Sequence, residues 1–256
     1  MLDESIERSG RTYFGFQELS SREKERAVLA HFNRVAPRYD FMNTVLSFGI
    51  HYAWKRKAVR LMGLRTGHRV LDVCGGTGDL SVFAARRIGP EGRAFLCDMN
   101  RQMMEAGRIR PENRSLAGRL SYIQANAELL PLPDHCVDAA MVGFGIRNLT
   151  HLKKGFSEMH RVLKPGGRLM CLEFSKPANP MFRMLYDIYS FSVMPLLGSL
   201  LAGSSRSYAC LSETIRMFAT ADELKEILEA AGFEAVCYRR LTNGIAAAHL
   251  GRKPMK

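Results

Sequence analysis

Apolar and polar positions change their period along this chain. Residues 20–35 and 52–62 carry apolar side chains at helical spacing, which predicts two amphipathic helices. Between them lies Tyr39-Asp40-Phe41-Met42-Asn43, rich in aromatic and turn-forming residues. From about residue 68 short apolar runs alternate with helix-like segments. Strands are predicted at 69–74, 94–98, 120–124, 137–143 and 168–174, and helices at 79–88, 100–110 and 151–163. Buried apolar strands separated by helices indicate parallel βαβ units. The end of the chain differs. A helix at 221–231 stops at Gly232, and two β-like runs, 233–241 and 245–252, are joined through Thr242-Asn243-Gly244. Asn-Gly is a strong hairpin signal. The expected architecture is α/β, a mostly parallel sheet with an antiparallel hairpin at its edge.

Residues 181–219 break the alternation. Ile188 to Ser205 is the longest stretch without charge, 18 residues, which approaches the length of a membrane span. Ser190, Ser192, Pro195, Gly198, Ser199, Gly203, Ser204 and Ser205 interrupt it. An inserted cap with an oily face is therefore expected rather than a spanning helix. The expected division is a helical lid and substrate segment over 1–66 and a larger domain over 67–256, with the cap near 178–219.

The chain has 256 residues, 46% of them hydrophobic and 24% charged. Disorder, collagen and a coiled-coil rod are excluded. The net charge is +12. It divides as +4 over residues 1–63, +2 over 64–149 and +6 over 150–256, so the flanks hold the excess. Such a balance suits an anionic membrane surface or nucleic acid. Six scattered cysteines form no C-x-x-C pair. They read as free thiols in a reducing cytoplasm, with no spacing that supports a metal site. The opening Met1-Leu2-Asp3-Glu4-Ser5 shows no secretory pattern.

The chemistry concentrates after the first strand of the sheet. Asp72 leads into Cys74-Gly75-Gly76-Thr77-Gly78-Asp79, a glycine turn at the carboxyl edge of a parallel strand, where open α/β sheets bind ligands. Asp98 lies 20 residues beyond Gly78, at the end of the next strand. A carboxylate there can accept both hydroxyls of a ribose. A dinucleotide loop would read G-x-G-x-x-G/A, but from Gly76 this chain reads Gly-Thr-Gly-Asp-Leu-Ser. The turn instead resembles motif I of class I S-adenosylmethionine (SAM) methyltransferases, with their Rossmann-like fold and seven-stranded sheet. Asn126-Ala127 follows the third strand, Gly143-Phe144-Gly145 follows the fourth, and Leu163-Lys164-Pro165-Gly166-Gly167 resembles a turn of that superfamily. The commonest form of the loop has Gly where this chain has Cys74.

The whole chain from about Phe14 resembles the ubiquinone/menaquinone biosynthesis C-methyltransferase family (UbiE type). The matching segments include Tyr39-Asp40-Phe41-Met42-Asn43, Ser47-Phe48-Gly49-Ile50-His51, Gly75-Gly76-Thr77-Gly78-Asp79-Leu80, Phe144-Gly145-Ile146-Arg147-Asn148, Leu172-Glu173-Phe174-Ser175-Lys176-Pro177 and Ser212-Glu213-Thr214-Ile215-Arg216-Met217. The family carries a small non-Gly residue at the position of Cys74. It often has Ser where this chain has Gly143.

The resemblance implies a SAM site drawn from Gly75, Gly76, Thr77, Gly78, Asp98, Met99, Asn126, Ala127 and Gly143. It also implies methylation of a ring carbon in a polyprenylated hydroquinone, either demethylmenaquinol or a 2-methoxy-6-polyprenyl-1,4-benzoquinol. An aromatic carbon becomes nucleophilic when the adjacent hydroxyl loses its proton. Catalysis then needs a cation or hydrogen-bond donor near that oxygen, alignment, and exclusion of water. Arg147 is assigned to the phenolate and Asn148 to orienting the hydroxyl or a water. Asp40 is a candidate proton acceptor and His51 a weaker one. Glu173 is expected to orient the cap or substrate, with Tyr39, Asn43, Tyr186, Tyr189 and Tyr208 in the ring pocket. Peripheral contact with an anionic membrane at the inner face is expected through residues near 181–205. Further expectations are a homodimer and contact with other quinone-synthesis enzymes. An RNA methyltransferase is disfavoured, since the charge alone supports it. The intact loop argues against a non-catalytic SAM-binding subunit.

Overall fold

The computed structural model describes residues 10–256; the reading of residues 1–5 lies outside them. A parallel sheet forms where short apolar runs can be buried on both faces. The central strands meet this condition, and the sheet has seven strands in the order β5-β4-β3-β6-β7-β9-β8. These are β3 (Arg69–Val73), β4 (Arg93–Asp98), β5 (Leu120–Gln124), β6 (Val137–Gly143), β7 (Leu163–Phe174), β8 (Glu234–Leu241) and β9 (Ala246–Arg252). The first five are mutually parallel. β9 runs antiparallel between β7 and β8, so the predicted C-terminal hairpin closes the sheet.

Strand alternation sends neighbouring residues into two different cores. Leu71, Val73, Ala140 and Val142 face one side, with Phe156 and Met159 of α7 (Leu152–Val162) and Leu224 and Leu228 of α11 (Ala221–Ala230). Val70, Ala139 and Met141 face the other, with Ala84, Ala85 and Ile88 of α4 (Asp79–Ile88) and Ala58, Val59 and Met62 of and beside α3 (Ile50–Leu61). Helix α3 is thus part of the sheet's own packing. Its apolar face packs on the sheet and on α4, so the division expected at residue 66 passes through one shared core.

Three further pieces stand above the carboxyl edge of the strands. A hairpin, β1 (Arg11–Phe14) with β2 (Gln17–Ser20), precedes α1 (Ser21–Val35). Helix α1 starts in a capping box, in which the Ser20 side chain and Glu23 satisfy each other's backbone N–H groups. The aromatic segment after it is helical, α2 (Tyr39–Leu46). The short helices α5 (Arg101–Arg108) and α6 (Pro111–Arg114) lie beside the glycine turn.

The cap is inserted after β7. It contains α8 (Pro180–Ile188), a π-helical segment Tyr189–Val193, α9 (Met194–Ala202) and α10 (Ser205–Met217). Pro180–Ala202 is one continuous helical run, long and apolar enough to cross a membrane by length and composition. One face is committed to the fold, where Met194 packs with Tyr208, Met42 and Leu46. The other is bare, with Met181, Met184, Leu185, Ile188, Leu196 and Leu200 exposed. Lid and cap are stitched together. Gly15 N donates to Thr214 Oγ1 (3.2 Å), Tyr189 Oη to the Leu46 carbonyl (2.7 Å) and Arg38 Nη1 to the Leu201 carbonyl (2.8 Å).

Candidate active site

Two cavities lie between the sheet edge and this roof. The smaller, about 320 Å³, is lined by Cys74, Gly76, Asp98, Met99, Asn126, Ala127 and Gly143 from the strand ends. Its opposite wall comes from α1, through Arg22, Glu25, Val28 and Leu29. The larger, about 580 Å³, is mostly apolar and lies under the cap. Phe32, Tyr39, Phe144 and Asn148 line both, so the two cavities share one partition.

The glycine turn is shaped by close approach. A side chain at Gly75 would meet Leu96 at 2.6 Å, and one at Gly78 would meet Asn113 at 2.8 Å with φ at +93°. Cys74 also has positive φ, 55°. That left-handed backbone is why glycine is the commonest residue there, and a side chain costs about 1–2 kcal/mol.

The residues of the smaller cavity fit a SAM molecule. Asp98 is anchored by two backbone donors, Gly76 N to Oδ2 (2.8 Å) and Asn100 N to Oδ1 (2.7 Å). Burial raises its pKa and those two bonds oppose the rise. Each carboxylate oxygen keeps a free lone-pair direction for a diol. Asn126 Oδ1 accepts from Glu128 N (2.9 Å), which leaves its amide N–H groups for a heterocycle edge.

Gly75, Thr77 and Gly78 stand behind the cavity wall rather than in it. Thr77 Oγ1 donates to Asp40 Oδ1 (2.7 Å) and accepts from Arg110 Nη1 (3.2 Å). Arg110 also pairs with Asp40 Oδ2 (3.2 Å) and Asp79 Oδ1 (2.7 Å). This corrects the expectation for Asp40: its carboxylate faces the glycine turn, held by a hydroxyl and a guanidinium, and lines neither cavity. Burial raises the Asp40 pKa, with Thr77 and Arg110 opposing.

The larger cavity is lined by Arg147, Asn148, Asn43, Tyr186, Tyr189 and Tyr208 among others. Arg147 is fixed from several sides. Nη1 donates to Glu173 Oε1 (2.8 Å) and to the Phe144 carbonyl, and its guanidinium lies 5.3 Å from the Phe174 ring centre. Glu173 is 1% exposed, and its Oε1 also accepts from Phe174 N (2.8 Å). Burial raises the Glu173 pKa and Arg147 opposes it. Glu173 therefore orients the arginine. Arg147 Nε is buried with no protein partner. Phe144 and Phe174 sit 4.6 Å apart, with Trp54 beside both, forming an aromatic floor.

His51 lines this cavity, but its Nδ1 is buried without a partner and its Nε2 lies 3.4 Å from Thr44 Oγ1. Burial and then Lys55 bring its pKa down to about 4. At neutral pH the imidazole is therefore uncharged. Sequence reasoning missed three contributors: the α1 wall, His31, and Lys55. His31 lines the larger cavity edge-on to Phe14 and Phe32, and burial and then Arg147 bring its pKa to about 4. The signal for Lys55 was position, since it stands three and four residues before the buried Ala58 and Val59.

Comparison with known proteins agrees with this arrangement. The chain is 47% identical over 243 residues to a ubiquinone/menaquinone biosynthesis C-methyltransferase UbiE of Pseudomonas entomophila, covering 95% of each. It is 48% identical over 243 residues to the protein of that name from Ectopseudomonas mendocina, again over 95% of each. A SAM dependent methyltransferase from Aquifex aeolicus shares the fold, with a TM-score of 0.56 at 19% identity, over 77% of this chain and 88% of the other. Residues 20–253 match the ubiE/COQ5 methyltransferase family, and the chain belongs to that family.

Proposed function

We propose that this protein C-methylates a polyprenylated hydroquinone ring, demethylmenaquinol or 2-methoxy-6-polyprenyl-1,4-benzoquinol, in respiratory quinone synthesis. The observation that carries this reading is the pairing of cavities. A polar site for SAM meets a large apolar space across a four-residue partition, and a buried arginine stands on the apolar side. SAM, when bound, supplies an electrophilic methyl group.

The chain's own residues prepare the acceptor. Phe144, Phe174 and Trp54 stack the ring. Arg147 stays protonated throughout and lowers the energy of the ring oxyanion once the hydroxyl proton has left. Glu173 holds the guanidinium in place, so little reorganisation is needed as charge develops. Asn148, present in both cavities, is placed to orient the hydroxyl. The lid and cap exclude water, which strengthens the arginine's effect. In balance, a ring C–H is replaced by C–CH₃, the S–CH₃ bond breaks, and one proton is released.

The apolar outer face of Pro180–Ala202 supports a second part of the reading, in which the cap rests in the cytoplasmic leaflet and draws the prenyl tail from it. Phe48, at 86% exposure, and Ile50 belong to the rim of the same cavity. An amphipathic helix with a bare apolar face gains free energy in the bilayer interface. The test is incubation of the purified protein with methyl-labelled SAM and each reduced short-chain quinol. Label should appear on a ring carbon of one or both. Label on neither, with SAM binding intact, rejects the proposal.

A further inference from the structure

Two cations line the ring cavity. Arg147 is one. The other is Lys55, which comes from α3. Its Nζ lies 2.7 Å from Asp79 Oδ2 and 6.0 Å from the centre of the Phe144 ring, and the residue lines the same cavity as Arg147. An ammonium has three N–H donors. Among the described residues Asp79 takes one, which leaves two for the cavity. Both cations also act on the buried Tyr39 hydroxyl, where they oppose the rise in pKa that burial causes.

Arg147 is answered by Glu173, and Lys55 and Arg110 together answer Asp79 and Asp40. The Asp79 pair fixes the ammonium and takes one of its three N–H groups. At 8% exposure beside aromatic rings, the remaining donors match a ligand that brings an oxygen of its own. A 1,4-hydroquinone carries two oxygens on opposite sides of the ring. A cavity lined by two separate cations can meet each of them.

We propose that Lys55 donates to the second ring oxygen of the hydroquinone, para to the oxygen held at Arg147, and so selects para-dioxygenated rings and fixes which carbon faces the methyl group. This rests on the quinol reading above. Two anchors restrict rotation of the ring in its plane, and one anchor alone leaves it free to turn about the Arg147 oxygen.

The experiment compares two acceptors, a short-chain 2-prenyl-1,4-naphthohydroquinone and 3-prenyl-1-naphthol. The second keeps the hydroxyl beside the accepting carbon and lacks the para oxygen. Wild type, Lys55→Met, Lys55→Gln and Lys55→Arg are assayed for kcat and KM, with SAM affinity measured by calorimetry as a check of folding. Wild type should prefer the hydroquinone. Lys55→Met and Lys55→Gln should lose about 10- to 100-fold in kcat/KM on the hydroquinone, mainly through KM, and change little on the naphthol. Lys55→Arg, which keeps donors, should retain part of the preference. SAM affinity should stay near wild type, because Lys55 does not line the smaller cavity. Equal losses on both acceptors, or no loss on either, overturn the proposal and leave Lys55 a structural cation. Wild-type turnover on neither acceptor overturns the quinol reading itself, and the Lys55 role with it.

Discussion

Arg147→Gln separates the two duties assigned to this arginine. The side chain lies within the larger cavity only, and its Nη1 is 2.8 Å from a carboxylate that is 1% exposed. Removing a preorganised stabiliser of developing oxyanion charge costs about 10²–10³ in kcat, or about 2.7–4 kcal/mol. SAM affinity should stay within a few-fold, since no part of Arg147 lines the cofactor cavity. The fold is affected as well. Breaking a buried pair by removing one partner costs about 3–5 kcal/mol, a large part of a typical stability of about 5–15 kcal/mol.

That loss should depend on pH. The Glu173 pKa in the folded state is already raised by burial, with Arg147 opposing; without Arg147 it rises further. A raised carboxyl binds protons more tightly in the folded state, so stability falls as pH climbs from the unfolded value through the folded one. The gap between wild type and variant should therefore be small near pH 4 and widen toward neutrality. Adding Glu173→Gln removes the orphan charge. The double variant should regain most of the melting temperature and none of the turnover. Calorimetry for SAM, thermal melts at several pH values and single-turnover quinol methylation measure all three. Turnover in Arg147→Gln within tenfold of wild type would refute the oxyanion role, and recovery of turnover in the double variant would refute it equally.

Three further outcomes follow from other groups. Asp72 is fully buried, accepts one bond from Ser81 Oγ (2.6 Å) and leaves Oδ1 unpartnered; burial raises its pKa to about 7. Wild-type stability should therefore fall between about pH 4 and pH 7, and Asp72→Asn should flatten that slope in thermal melts, gaining at most about 4 kcal/mol at pH 8. Asp40→Asn keeps a hydrogen bond to Thr77 and loses charge against Arg110. Its single-turnover rate should drop less than tenfold, and a drop of a thousandfold would return Asp40 to the role of proton acceptor. Leu196→Glu with Leu200→Glu, at exposed cap positions, should leave SAM binding and melting unchanged and lower recovery on anionic liposomes in flotation. Unchanged flotation would remove the cap from the membrane contact.

The sheet was legible because each strand answers to one environment. The runs at 69–73 and 137–143 are buried on both faces, so an apolar pattern and a turn suffice to mark them. The roof was harder to read because its residues serve two surfaces at once. Tyr39, Asp40 and Asn43 have turn-forming character, yet the segment is helical because Met42 and Leu46 pack against Met194 and Tyr208, about 150 residues later. The hairpin at 11–20 was missed because only Thr12 and Phe14 are buried in it, and two inward positions make no readable period.

The same difference governs the active site. Residues that line the smaller cavity from the strand ends, such as Asp98 and Asn126, are placed by the sheet and were found by spacing. Asp40, Thr77 and Lys55 depend on how the lid and α3 lie over the glycine turn, and no local pattern encodes that. Asp40 turns inward because Arg110, on the far side of the turn, offers two anions one guanidinium. Lys55 turns toward the cavity because α3 is bound to the sheet through Ala58, Val59 and Met62, which leaves its amino-terminal turns facing Phe144. Burial on the stripe of an amphipathic helix does not by itself mark a ligand-facing lysine, since Lys24 of α1 is as buried and donates to the Leu149 carbonyl (2.6 Å); what separates Lys55 is its place in the wall of the larger cavity.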